Sequence, residues 1–144
     1  MPDIFTIGYE GLVQDQLLDL LVGSGIKTLL DVRAVPLSRK AGFSKGVLGA
    51  SLAARGIHYL HDKRLGTPKA GREAARRGKT ADMVRIFEAH MEGEAPRAGL
   101  ADAVVLAKAE PTCLLCFERA PHDCHRAIVA SLIRAETGQN IRHL

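Results

Sequence analysis

The side chains best suited to chemistry crowd one stretch, Cys116-Phe117-Glu118-Arg119-Ala120-Pro121-His122-Asp123-Cys124-His125-Arg126. Cys124 stands beside His125 and close to basic residues, surroundings that lower a thiol pKa and make a nucleophile or an oxidation-sensitive thiol. The competing reading is structural: Cys124 precedes Ile128 by one helical turn and small cysteines are often buried. Cys116 is the second thiol candidate. Cys113 and Cys116 spell C-x-x-C, but on a strand that spacing sends the two side chains to opposite faces. Cys116, His122, Cys124 and His125 are metal-ligand types as well. Adjacent residues 124 and 125 rarely both reach one tetrahedral ion, so neither a metal nor another cofactor is expected.

The remaining candidates converge on this stretch if the strands run parallel. Asp31 and Glu118 have the chemistry of a general acid or base, with Tyr9 or His58 sharing proton transfer. Arg33, Arg39 and Arg126 suit bidentate contacts to a phosphate or carboxylate, completed by backbone N–H groups at residues 124 to 126. Ser38, Tyr59, Cys116 and His125 join them as ligand-binding candidates on the same rim. The alternative is an ion-pair network in which Arg33 satisfies Asp31 and Arg126 pairs with Glu118.

Short apolar runs alternate with helical spacing along the chain. Ile4 to Ile7 reads as a strand, and Gly8-Tyr9-Glu10-Gly11 as the turn after it. The leucines and valine at 17, 18, 21 and 22 follow helical spacing until Gly23-Ser24-Gly25. Ile26 to Val35 reads as a buried strand, and its period-two alternation sets Leu29, Asp31 and Arg33 on one face. A basic loop, Pro36 to Ser44, precedes a helix over residues 45–55 and a strand from Ile57 to His61. Residues 62–79 carry seven basic side chains against two acidic ones, with Gly66, Pro68, Gly71 and Gly78 breaking regular structure. They are expected to form a basic, mobile excursion from the core. Thr80 is the expected N-cap of a helix ending near Gly93, and another helix runs from about Gly99 to Glu110. Thr112 to Cys116 reads as a buried strand feeding a helix at Cys124, and Ile141 to Leu144 as a last short strand. The whole predicts a single α/β domain over residues 1–144, a mainly parallel sheet of about five strands between two helical layers.

Composition bounds the function. The chain has 144 residues, 47% of them hydrophobic, a formal net charge of +4 and three cysteines. One core of ordinary size is expected, and the excess of positive charge favours an anionic partner. No apolar run reaches the roughly 20 residues that span a bilayer, and no leader pattern opens the chain. A cytoplasmic protein with reduced thiols is the expectation, with no membrane partner. The basic run of Lys63, Arg64, Lys69, Arg72, Arg76, Arg77 and Lys79 could track a nucleic-acid backbone while Tyr9, Phe43 or Tyr59 stacks on a base. A solvated surface segment is its simpler reading.

Taken in order, Thr6-Ile7-Gly8-Tyr9-Glu10-Gly11, Asp31-Val32-Arg33 with Pro36 and Ser38-Arg39, Phe43, Gly56-Ile57-His58-Tyr59, Leu65-Gly66, Cys116-x-Glu118, Cys124-His125-Arg126 and Ile141-x-His143-Leu144 resemble the domain of unknown function 488 family. In many members of that family histidine stands where Tyr9 does, which weakens a proton-transfer role for this tyrosine. The resemblance implies a compact α/β domain with those polar motifs gathered at one site, and it implies no reaction. The leading expectation is an enzyme-like domain that binds a phosphorylated small molecule, nucleotide or nucleic acid. Its chemical groups would be Asp31, Glu118 and Cys124. A non-catalytic nucleic-acid-binding module and a thiol-based redox or metal sensor are the alternatives.

Overall fold

The computed structural model describes residues 1–144. In chain order the elements are β1 (Ile4–Gly8), α1 (Gln14–Gly23), β2 (Thr28–Asp31), α2 (Lys45–Ala54), β3 (His58–His61), α3 (Lys69–Arg76), α4 (Thr80–His90), α5 (Glu94–Ala109), β4 (Thr112–Cys116), α6 (His125–Thr137) and β5 (Ile141–His143), with short 3-10 turns at Lys63–Leu65 and Pro121–Asp123. The strands form one five-stranded sheet in the order β3-β2-β4-β1-β5. Every pairing is parallel. This confirms the three-layer α/β arrangement that the alternation of strands and helices predicts.

The sheet separates two apolar cores, and period-two alternation decides which residue joins which. Phe5, Ile7, Leu29, Cys113 and Leu115 pack with Leu17, Leu21, Leu48 and Leu52 of α1 and α2. Ile4, Leu30, Leu114 and Cys116 pack on the opposite face with Ala74, Met83, Phe87, Ala103, Ala107 and Val129 of the other four helices. Strands covered on both faces read as continuous apolar runs, which is why β1 and β4 are buried at every position. The same alternation puts Cys113 and Cys116 on opposite faces, as their spacing predicts. No helix is long and apolar enough to cross a membrane.

Three local expectations are corrected. Residues 62–79 are built of regular elements, a 3-10 turn and then α3. Gly71 does not break α3, because a Cβ there would lie 2.4 Å from Thr67 Cγ2, so the glycine allows close packing inside the helix. Thr80 is the first residue of α4 and not its cap, and its hydroxyl donates to Asp123 Oδ1 at 3.2 Å. Helix α5 begins at Glu94, five residues before the expected Gly99. Pro96 is tolerated there because the N–H it lacks would have no partner in the first turn.

The burial of β4 between β2 and β1 makes it the strand least able to lose volume. Leu115→Ala is expected to lower unfolding free energy by about 2–5 kcal/mol. Val105→Ala on the exposed face of α5 should change it by less than about 0.5 kcal/mol. Urea denaturation of both variants checks the contrast.

Candidate functional site

At the carboxyl ends of the central strands lies a cleft of about 420 Å³, within the range of small-molecule sites. Its lining includes Tyr9 after β1, Arg33 to Val35 after β2, Cys116 to Glu118 at the end of β4, and Asp123 to His125 at the start of α6. Across the opening, α3 contributes Lys69, Arg72 and Arg76. These three positions recur at helical spacing, so one face of α3 carries all three cations. Arg72 is braced by donating to the Thr67 carbonyl at 2.8 Å.

The floor is a cluster of two thiols, an imidazole and a carboxylate. His125 Nδ1 stands 3.7 Å from Cys116 Sγ and 4.0 Å from Cys124 Sγ. Cys116 Sγ lies 3.8 Å from Glu118 Oε2. His125 Nε2 sits 2.8 Å from the Val32 carbonyl oxygen, which only accepts, so Nε2 carries a hydrogen. In the neutral ring the Nδ1 lone pair therefore faces both sulfurs. Cys116, Cys124 and His125 are buried, and Glu118 is half-buried.

Burial opposes charge on Cys124, but donation from the Cys116 thiol and the neighbouring His125 and Arg126 cations more than offset it and hold Cys124 well below the usual thiol range. Cys116 is held well above it, first by its hydrogen bond to Cys124 and then by burial. Of the two thiols, Cys124 is thus the one whose surroundings favour the charged form. Burial resists the imidazolium of His125, and the Cys124 thiolate outweighs that and raises its pKa. Burial, followed by the Cys124 charge, pushes the Glu118 carboxyl up to about 7. Cys113, in the other core, is pushed far above its ordinary value by burial and takes no part.

On the opposite face of the sheet, Asp31 and Arg33 pair as their alternation predicts. Arg33 Nη2 lies 2.7 Å from Asp31 Oδ2, and Arg33 Nε lies 2.9 Å from Oδ1. Arg33 also donates to the Phe43 carbonyl at 2.8 Å, and the Tyr59 hydroxyl donates to Asp31 Oδ2. Burial opposes the charge of Arg33, and Asp31 more than compensates, so its pKa stays above the ordinary value. Burial and then the bond to Asp31 raise the Tyr59 pKa. Tyr9 stacks on the fully buried Phe43 with ring centroids 4.5 Å apart. Phe43 accordingly offers no face to a base.

Of the residues singled out in the sequence, Tyr9, Arg33, Cys116, Glu118, Cys124 and His125 line the cleft, whereas Asp31, Ser38, Arg39, Tyr59 and Arg126 do not. Ser38 orders its own loop: its backbone N–H donates to Ser44 Oγ at 3.0 Å, and its Oγ accepts from the Lys40 N–H. Arg39 is exposed outside the cleft. Arg126 is fully buried and donates to Thr6 Oγ1, at 3.2 Å, and to the carbonyls of Glu118 and Arg119. Its partner is thus the Glu118 backbone and not the carboxylate. Cys124 caps α6 from an extended conformation, and its N–H is already taken by the Pro121 carbonyl at 3.1 Å. His122 is exposed, 3.4 Å from Asp123, and not among the clustered donors. The cations of α3 are the contribution that treating residues 62–79 as irregular hides. Their helical spacing is the signal that finds them.

Because Asp31 is buried with its oxygens engaged by Arg33 and Tyr59, its expected effect is on stability. Asp31→Asn would leave the Arg33 charge uncompensated and lower unfolding free energy by about 3–5 kcal/mol, read by urea denaturation. Unchanged stability together with lost ligand turnover would restore the acid-base role.

No curated protein and no solved structure matches the chain. One family model, Domain of unknown function DUF488, matches residues 14–133, from α1 to the buried Ile133 of α6. The matched span contains the thiol cluster, the Asp31–Arg33 pair and the cationic helix, and the chain belongs to the DUF488 family.

Proposed function

We propose that the domain is an enzyme-like module that binds a phosphate-containing small molecule or nucleotide in the cleft and acts on it at the thiol, imidazole and carboxylate floor. The observation that carries this reading is that one face of α3 sets Lys69, Arg72 and Arg76 over the same cleft as Cys116, Glu118, Cys124 and His125. Cations of one sign in a concave site with partly apolar walls favour a compact anion and strengthen its hold by excluding water. Arginine in particular matches the oxygens of phosphate with paired donors. The positive end is supplied by α3 side chains, while Arg33 and Arg126 serve the frame.

The floor has groups for more than binding. Glu118 is half-buried at the cleft, and His125 is oriented by its bond to Val32. A carboxyl so placed can move a proton to or from a bound ligand, while the imidazole, with both nitrogens engaged, holds the thiols in position. Tyr9 and Phe117, edge to face with centroids 5.3 Å apart, form an aromatic wall beside them.

Thermal-shift measurements with nucleotides, sugar phosphates and their unphosphorylated counterparts test the reading. Phosphorylated ligands should stabilise the wild type, by roughly 3 kcal/mol at a hundredfold excess over Kd, and neutral counterparts should not. Arg72→Ala with Arg76→Ala should remove most of the shift. Equal response to charged and neutral ligands would end the proposal. Stabilisation by single-stranded oligonucleotides alone, falling steeply with salt, would favour a nucleic-acid-binding module.

A further inference from the structure

We propose that Cys116, Cys124 and His125 form a binding site for a divalent metal ion of the zinc class, with its fourth position opening to the cleft beside Glu118. The donor atoms, Sγ, Sγ and Nδ1, all lie within 4.8 Å of one another. The two sulfur-to-nitrogen separations are 3.7 and 4.0 Å. A tetrahedron built on Zn–S bonds of about 2.3 Å and a Zn–N bond of about 2.0–2.1 Å has edges of roughly 3.5–3.8 Å, so movements of no more than about 1 Å close the set around an ion.

Adjacent residues rarely serve one ion, and here the backbone removes that obstacle. Cys124 is extended, with φ −130° and ψ 140°, whereas His125 begins the helix. The change of conformation between them lets both side chains enter the same space. His125 is further prepared as a ligand, because its Nε2 hydrogen is held by the Val32 carbonyl and its Nδ1 faces the sulfurs. Metal-bound histidines characteristically donate their other ring N–H in this way. Two soft thiolates with one imidazole select zinc-like ions over magnesium or calcium. Coordination needs both sulfurs as thiolates and Nδ1 without a hydrogen, so any protons these three atoms carry pass to solvent, and two thiolate charges then stand against the dication, which relieves the cost of burying them.

Three protein ligands leave one position of the tetrahedron, and all three line the cleft along with Glu118. That is the arrangement of a reactive metal site, whose open position takes water or a ligand oxygen. The metal site stands on its three donor atoms and survives if the cleft prefers something other than phosphates.

The test uses the full chain, stripped with a chelator and titrated with Co²⁺ alone and Zn²⁺ alone, without any anionic ligand. The expected result is one Co²⁺ per chain with the intense near-ultraviolet absorption of cobalt–thiolate bonds, lost when Zn²⁺ displaces it. Cys116→Ser, Cys124→Ser and His125→Gln should each weaken binding by more than the roughly 10–100-fold that follows loss of an outer-shell partner. Cys113→Ala, in the other core, should leave it unchanged. Absence of thiolate absorption would overturn the site, as would undiminished binding in a folded Cys124→Ser variant. Should a variant fail to fold, the wild-type Co²⁺ spectrum decides alone.

Discussion

A buried guanidinium holds the cleft end of the molecule together. Arg126 has no exposed surface and no carboxylate partner within ion-pair distance, so its charge rests on oxygen dipoles: Thr6 on β1 and the carbonyls of residues 118 and 119. An unpartnered buried cation is costly, so this geometry must be kept intact for the fold to tolerate it. The first strand is thereby tied to the loop that carries Glu118 and to the helix that begins at His125. Gly8 makes the approach possible, since a Cβ there would come 1.8 Å from the Glu118 carbonyl oxygen. The same positive charge favours the thiolate form of Cys124. One residue therefore sets the shape of the floor and adds, after Cys116 and His125, to the forces on its charge.

A second network fixes the opposite wall. Asp31 and Arg33 neutralise each other on the α1 and α2 side of the sheet, Tyr59 donates to Asp31, and Arg33 grips the loop at Phe43. The two networks meet through the backbone, because Val32 follows β2 and accepts from His125. Alternating residues of one extended segment thus serve different sides, Asp31 and Arg33 the frame and the Val32 carbonyl the imidazole. Polar groups this deep in a sheet rim are satisfied almost completely, Gln139 Oε1 being the one buried side-chain oxygen or nitrogen without a partner.

Much of the fold is legible in the sequence, because hydrophobic period is a local property. Apolar runs such as Thr112 to Cys116 mark buried strands, and period two pairs Asp31 with Arg33 without knowledge of the rest. The cluster of Cys116, Glu118, Cys124 and His125 is legible by its density of reactive types. The role of Arg126 is not, since burial of a cation depends on carbonyls that the chain presents only once folded. The α3 face is obscured by Gly71, whose reason lies in Thr67 and Ile86 packed against it. The convergence of Cys124 and His125 turns on one extended residue at a helix start, which side-chain spacing alone does not reveal.

The sheet order bears on how the protein comes into being during synthesis. Strand β1 leaves the ribosome more than a hundred residues ahead of both of its neighbours, since Ile4 pairs with Thr112 and Ile141. At ordinary elongation rates β1 waits on the order of 10 s for β4 to appear. Its apolar side chains and unpaired edges are open to misassociation throughout that interval. The cleft inherits the delay, because the loop bound by Arg126 and the segment carrying Thr6 meet only after residue 126 has emerged. A nascent chain thus has its cysteines in place in sequence before the contacts that gather Cys116, Cys124 and His125 into one floor exist.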